Sequence, residues 1–160
     1  MRLLLVSLLA ALLPTLAQAA SLTVVRVWPG YRTAESFARI SEYFKAEENP
    51  GRQTILRTQA TRREGFYFLV RLANPGADYP GATFELQVIT PTARETRTFT
   101  FKADVPSRSH VFNFGLTGPD WPDATAHPVA WHLAVRSADG AELVQEQSFL
   151  WAIPDAPAAK

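Results

Sequence analysis

After residue 20, apolar and polar residues alternate with a period of two, in segments of about seven to ten residues. Pro, Gly, Asn and Asp separate these segments, as is typical of short antiparallel strands joined by turns. In the 82–90 segment, for example, Phe84, Leu86 and Val88 fall on one face. The alternation predicts strands at 21–28, 65–73, 82–90, 95–105, 110–116, 129–137 and 142–151.

Turn sequences set the ends of several predicted strands. Pro91 separates the third strand from the fourth, which predicts a hairpin. Asp139 and Gly140 separate the last two strands, and this dipeptide tolerates the positive φ angles of tight hairpin turns. Pro29 and Gly30 are expected to end the first strand. Alternation in the 129–137 segment places four residues in the core: Val129, Trp131, Leu133 and Val135.

The 33–44 segment is compatible with a helix or a strand. Three of its apolar residues recur at helical spacing: Phe37, Ile40 and Phe44. Thr33 stands where a helix N-cap would. The same residues also alternate well enough to form a strand, with 53–58 as its partner. Both alternatives stay open, and the fold prediction allows one short helix near residues 34–45.

About seven short strands with turns at this spacing predict an all-β chain, folded as one antiparallel β-sandwich. The cadence is typical of immunoglobulin-like and fibronectin-type sandwiches, although the Cys–Trp–Cys spacing of antibody domains is absent. About 140 residues follow the first 19, enough to bury roughly two thirds of the unfolded chain's surface in a single core. We expect one sandwich domain at 20–153 and a flexible tail at 154–160.

The first 19 residues have the parts of a secretory signal peptide. Arg2 provides a positive start, 3–13 is an apolar run, and Ala17 and Ala19 stand where signal peptidase selects small residues. The apolar run is shorter than the roughly 20 residues that span a bilayer, which argues against a membrane anchor. We expect cleavage before Ala20 and export to the periplasm or the extracellular space.

Composition limits the partners of the exported chain. The full chain has 16 basic and 15 acidic residues, and loss of Arg2 with the signal peptide balances them. A balanced chain disfavours a nucleic-acid partner. The chain contains no cysteine, which excludes disulfides, thiolate metal sites and a lipid anchor on a cysteine. No cofactor and no membrane span of the mature form are expected, and the partner is expected to be a protein or a polysaccharide.

The 115–128 segment carries the densest polar cluster of the chain. Asp120, Trp121, Asp123 and His127 fall within eight positions. Two carboxylates and an imidazole on one loop are suitable ligands for a divalent cation, and an exposed Trp would stack on a sugar ring. The alternative is ordinary turn chemistry, in which Trp121 closes one end of the sandwich and a following proline keeps His127 extended.

Trp28 and Trp151 end their predicted strands and, together with Trp121, are the candidate ligand-binding surface. Two of these rings lying coplanar on the surface would form a platform for carbohydrate. Aromatic residues at strand ends also serve as caps over a sandwich, and the two roles remain alternatives.

Arginine outnumbers lysine twelve to three after residue 19, so most of the positive charge is on guanidinium groups. Six arginines are assigned to strands: Arg26, Arg39, Arg57, Arg71, Arg97 and Arg136. A row of them on one sheet face would suit an acidic partner or a polysaccharide. The alternative is that cross-strand ion pairs with acids such as Glu85 and Glu146 occupy them.

The three histidines have no spacing that indicates a catalytic group. His110 is expected at the edge of the sandwich and His132 on its outer face. No serine lies in a Gly-x-Ser-x-Gly or Ser-x-x-Lys motif, and the chain has no His-Glu-x-x-His sequence or Gly-rich phosphate loop. We therefore assign no catalytic residue.

Together these patterns predict an exported, non-enzymatic binding or assembly module of the periplasm or the extracellular space. The first alternative is a carbohydrate-binding β-sandwich. The alternative from another class of protein is a metal-dependent hydrolase that uses Asp120, Asp123 and His127 of the 115–128 loop.

Overall fold

Eight strands form two four-stranded sheets, which pack face to face as a β-sandwich. The computed structural model describes residues 21–39, 42, 48 and 50–151. The predicted signal peptide and the predicted tail at 154–160 lie outside these residues. The strands are β1 Thr23–Arg32, β2 Gln53–Arg57, β3 Gly65–Ala73, β4 Tyr79–Thr90, β5 Ala93–Val105, β6 His110–Thr117, β7 Ala130–Arg136 and β8 Glu142–Gln147.

The first sheet has the strand order β1-β3-β6-β2 and the second has the order β5-β4-β7-β8. The β1-β3-β6 and β5-β4-β7-β8 neighbours match the A-B-E and C′-C-F-G neighbours of immunoglobulin-type sandwiches. Strand β2 departs from that pattern, because it pairs with β6 in parallel, whereas the other strand pairs are antiparallel. The predicted β-sandwich is confirmed, with eight strands in place of about seven.

Both predicted hairpins are present. β4 pairs with β5 across the turn at Pro91, and β7 pairs with β8. Gly140 in the second turn has a φ of 90°, a value that glycine adopts without steric cost. The alternation in β4 also holds, because Leu86 and Val88 are fully buried between the sheets.

Two predicted strand ends are wrong. Strand β1 continues through Pro29 to Arg32. As an edge strand it pairs only with β3, and a proline is tolerated there because its missing N–H is not needed on the open side. Strand β8 ends at Gln147 rather than Trp151. The chain turns after Gln147, and the Ser148 hydroxyl accepts a hydrogen bond from the Trp131 amide at 2.9 Å.

The described residues of the 33–44 segment do not pair with the 53–58 segment. Ala34–Phe37 forms a short 3₁₀ helix, and the rest of the proposed helical pattern, Ile40 and Phe44, lies outside the described residues. Strand β2 instead pairs with β6, a partner 58 positions away (Gln53 with Val111). Val129, predicted in the core, is exposed because it precedes β7.

Aromatic side chains from the inner faces of both sheets fill the core. Phe84 of β4 packs between Phe112 and Phe114 of β6, with ring centroids 4.9 and 4.8 Å apart. Burial of each such ring stabilises the fold by about 1.5–3 kcal/mol relative to an exposed position. Five phenylalanines are fully buried: Phe66, Phe68, Phe84, Phe112 and Phe114.

The outer face of the first sheet is covered over part of its area. Tyr67 of β3 points outward, yet it is completely buried. The ring of Phe37, from the 3₁₀ helix, lies over it at a centroid distance of 4.7 Å. The uncovered part of the same face carries Arg26, Trp28 and Arg71, all of which are exposed.

Candidate functional site

The acidic residues of the 115–128 segment are held by separate structural contacts. Asp120 accepts a hydrogen bond from Arg97 at 2.7 Å through its carboxylate, and its carbonyl accepts a second at 2.8 Å. Asp123 accepts hydrogen bonds from the hydroxyl and amide of Thr125 at 2.7 and 2.8 Å, which lower the pKa of its carboxyl. The Asp123 bonds are ordinary turn chemistry, whereas Asp120 is held by an ion pair with β5.

His127 lies edge-on to Phe66, with ring centroids 6.0 Å apart. Within the described part of the chain, no three His, Asp or Glu side chains form a group that could hold a metal ion. The loop therefore does not bring Asp120, Asp123 and His127 together as a metal-ligand set.

Trp121 closes one end of the sandwich. Its ring is 4% exposed and packs on Phe66 at a centroid distance of 4.6 Å. Its indole N–H is buried, and no described residue accepts a hydrogen bond from it. Because so little of the ring is accessible, Trp121 does not offer a face to a sugar.

Trp28 and Trp151 lie on different sheets and differ in their surroundings. Trp28 of β1 is 39% exposed, and the Arg26 guanidinium carbon lies 5.0 Å from its ring centroid. Trp151, after β8, stacks on His132 at 5.5 Å with an interplanar angle of 20°. Of the three candidate tryptophans, Trp28 has the most accessible ring.

The described arginines divide into paired and unpaired groups. Arg57, Arg97 and Arg136 form ion pairs with Glu48, Asp120 and Glu85 at 2.5, 2.7 and 3.3 Å. Of these, only the Arg136–Glu85 pair joins two neighbouring strands, as the cross-strand alternative predicts. Arg39 follows the 3₁₀ helix rather than lying in a strand, and its guanidinium packs against Gly51. Six exposed arginines form no ion pair with a described residue: Arg26, Arg39, Arg52, Arg62, Arg71 and Arg108.

Arg57 has a structural role under the cover of the first sheet. It donates two hydrogen bonds to Glu48, at 2.8 and 2.5 Å, and one to the Tyr67 hydroxyl at 2.6 Å. The bonds from Arg57 lower the pKa of the Glu48 carboxyl. The Arg57 guanidinium also lies 5.1 Å from the centroid of the Phe37 ring. Arg57 therefore has a structural role, because it contacts Glu48, Tyr67 and Phe37 at once.

The unpaired Arg52 and Arg108 line one open pocket. Because parallel strands begin at the same edge of a sheet, the turn before β2 and the loop before β6 lie side by side. The pocket between them has a volume of about 750 Å³. We call it the arginine pocket, and it is lined by Gly51, Arg52, Gln53, Thr54, Arg108, Ser109 and His110.

His110 contributes a neutral ring to the arginine pocket. Its Nε2 lies 2.9 Å from the Thr54 hydroxyl, and its ring packs edge-on to Phe112 at 4.8 Å. Burial, and then the nearby charge of Arg108, lower the pKa of His110 below 6.5. At neutral pH the positive charge of the pocket therefore comes from Arg52 and Arg108, surrounded by hydroxyl and amide groups.

A second pocket of about 420 Å³ shares Arg108 and Ser109 with the arginine pocket and extends toward β1 and β3. Asn74, which lines this pocket, donates hydrogen bonds to the carbonyls of Ala77 and Pro106, at 2.8 and 3.1 Å. These bonds tie the loop after β3 to the loop that carries Arg108. We call this the Asn74 pocket, and it is lined by Ser21, Thr23, Ala73, Asn74, Pro75, Ser107, Arg108 and Ser109.

No family model matches the chain, and a search of the curated proteins finds no similar sequence. Among the described residues, no helix has the length and apolar character needed to cross a membrane. Sequence reasoning missed Arg52 and Arg108, which are 56 positions apart and meet only because β2 pairs with β6.

Proposed function

We propose that this protein is an exported binding module that holds an anionic group of its ligand in the arginine pocket. The observation that carries the proposal is the pair of guanidinium groups, Arg52 and Arg108, at one open pocket, with no carboxylate partner among the residues that the structure describes. A guanidinium binds carboxylate, sulfate or phosphate through two parallel N–H donors, and the pocket hydroxyls supply further donors.

The expected affinity for a small anion is low. Each exposed ion pair is worth about 0.2–1 kcal/mol, because water and salt screen both charges. Two such contacts and a few neutral hydrogen bonds correspond to dissociation constants of about 1–10 mM. Tight binding therefore requires a ligand that contacts more of the protein than this pocket.

Binding is favoured over catalysis by the placement of the candidate catalytic groups. Asp120 is engaged by Arg97, and Asp123 is engaged by Thr125. His127 packs on the buried Phe66. These contacts support structural roles for the 115–128 loop and give the metal-dependent hydrolase alternative no geometric support.

Export is supported by the sequence of the first 19 residues. An exported binding module meets envelope or extracellular ligands, and many of these carry carboxylate, sulfate or phosphate groups. A pocket that recognises one anionic group fits such ligands better than it fits a neutral one.

The experiment is a titration of the ¹⁵N-labelled protein with galacturonate, sulfate and phosphate, followed by ¹H–¹⁵N chemical shifts. We expect saturable shifts at 51–54 and 108–110. Arg108→Ala should weaken binding about fivefold, since it removes about 1 kcal/mol of charged contact.

Arg62→Ala is the matched control, because Arg62 is also exposed but lies beside Gly118, at the other end of the sandwich. It should leave the affinity unchanged. Absence of saturable shifts with all three anions, or an equal loss in both variants, would refute the proposal.

A further inference from the structure

Two further arginines without an ion pair to a described residue, Arg26 and Arg71, lie beside the Asn74 pocket. Thr23 of β1 pairs with Ala73 of β3, and both residues line that pocket. After a bulge in β1, the next residue pair on this face is Arg26 with Arg71. The arginine pocket, the Asn74 pocket and the Arg26–Arg71 pair are therefore neighbours along one side of the first sheet.

Arg26 and Arg71 stand directly opposite each other on β1 and β3. Like charges directly opposite each other on adjacent strands destabilise a sheet. Neither guanidinium forms an ion pair with a described residue that would offset the repulsion. Positions that break such a local rule are the ones expected to serve function.

Trp28 adds an aromatic surface next to the Arg26–Arg71 pair. It lies two residues after Arg26 on the same outer face, and part of its ring is exposed to solvent. A partly exposed indole next to guanidinium groups can pack against the apolar face of a sugar ring. An acidic polysaccharide supplies both the ring and the anionic groups, whereas an acidic peptide supplies only the anionic groups.

We propose that an extended acidic polysaccharide lies along this side of the sheet, from the arginine pocket to Trp28. Its anionic groups contact Arg52, Arg108, Arg71 and Arg26, and one of its sugar rings packs against Trp28. From β2 to β1 the path crosses three interstrand spacings, about 14 Å, so a ligand longer than one sugar is needed to span it. This inference rests on the proposed function of the arginine pocket.

The test compares dissociation constants for galacturonate, an oligogalacturonide of about six units, and poly-L-glutamate with a matched number of charges. The oligogalacturonide should bind at least about tenfold more tightly than galacturonate, because two further arginines and one aromatic contact join the interface. Its affinity should fall with added salt, which screens each ion pair.

Variants separate the two parts of the site. The Arg26→Ala/Arg71→Ala double variant should weaken oligogalacturonide binding about fivefold and leave galacturonate binding unchanged. Trp28→Ala should weaken it about three- to tenfold. Arg62→Ala and Trp151→Ala are the matched controls, and neither should change either affinity. Removal of the two opposed charges should not lower the melting temperature, so a loss of binding cannot be attributed to unfolding.

The galacturonate arm tests the arginine pocket by itself. If galacturonate binds but the oligogalacturonide gains nothing over it, the extended site is refuted and the pocket stands. Poly-L-glutamate binding as tightly as the oligogalacturonide, with no effect of Trp28→Ala, would refute the polysaccharide in favour of an acidic peptide. If Arg108→Ala leaves oligogalacturonide binding unchanged, the path through the arginine pocket is wrong.

Discussion

Gly115 illustrates how a single residue depends on a partner far away in the sequence. It faces outward on β6, and a Cβ at this position would lie 2.4 Å from Cε1 of Tyr67. The Tyr67 ring cannot retreat, because it is fully buried and its hydroxyl donates a hydrogen bond to the Arg63 carbonyl at 2.6 Å. Glycine at 115 therefore makes room for the ring under the cover of the first sheet.

We predict that Gly115→Ala destabilises the protein by about 1–3 kcal/mol, the usual cost of forcing atoms into a packed interior. Gly30→Ala is the control, since a Cβ at that strand position has no neighbour within 4 Å. It should change stability by less than about 0.5 kcal/mol. Urea unfolding of both variants measures the difference, and equal effects would show that the Tyr67 contact does not constrain position 115.

Periodicity identified most of the residues that face inward, with Val129 as an exception, but not which outward residues are buried. Leu86 and Val88 follow the alternation of β4 and are fully buried. Tyr67 and Asn113 lie on the outward face of their strands and are buried as well. Alternation reports the two faces of a strand, whereas burial of the outer face depends on what the rest of the chain places over it.

At the scale of elements, the 3₁₀ helix Ala34–Phe37 matters more than its four residues suggest. Phe37 contacts Tyr67, and the guanidinium groups of Arg57 and Arg32 lie over its ring at 5.1 and 5.9 Å. The helix thereby anchors the segment that covers one part of the first sheet. The sequence left helix and strand as alternatives for this region, and it gave no sign that Phe37 would cover a sheet.

We predict that Phe37→Ala destabilises the protein by about 2–4 kcal/mol, because it leaves a cavity above Tyr67. Phe149→Ala makes the same change at a ring that is 81% exposed, and it should alter stability by less than about 0.5 kcal/mol. Thermal and urea unfolding compare the two. A similar loss in both variants would mean that Phe37 contributes little to the fold.

At the scale of the whole molecule, the two ends of the sandwich carry their arginines differently. At the end closed by Trp121, Arg97 is paired with Asp120, and Arg62 is exposed without an ion pair to a described residue. At the opposite end, Arg52 and Arg108 have no acidic partner among the described residues. A formally balanced charge therefore conceals a local excess of positive charge, which is where we place the ligand.

We predict that the protein is exported and that its mature form begins at Ala20. Mass spectrometry of the protein recovered from the periplasm or the medium measures its N-terminus. Changing Ala17 and Ala19 to Asp should block cleavage, because signal peptidase requires small residues there, whereas Gln18→Ser should not. Recovery of the uncleaved wild-type chain from the cytoplasm would contradict both the predicted export and the proposed setting of the function.

The sequence by itself determined the sandwich, both hairpins and most of the inner faces, because alternation and turn residues act between neighbours in the chain. Tertiary structure alone decided the parallel pairing of β2 with β6, the burial of Trp121 and the division of the arginines into paired and unpaired. Each of these depends on contacts between residues far apart in sequence, such as Gln53 with Val111. Because pairing of distant strands leaves no local pattern, the arginine pocket could not be found from the sequence.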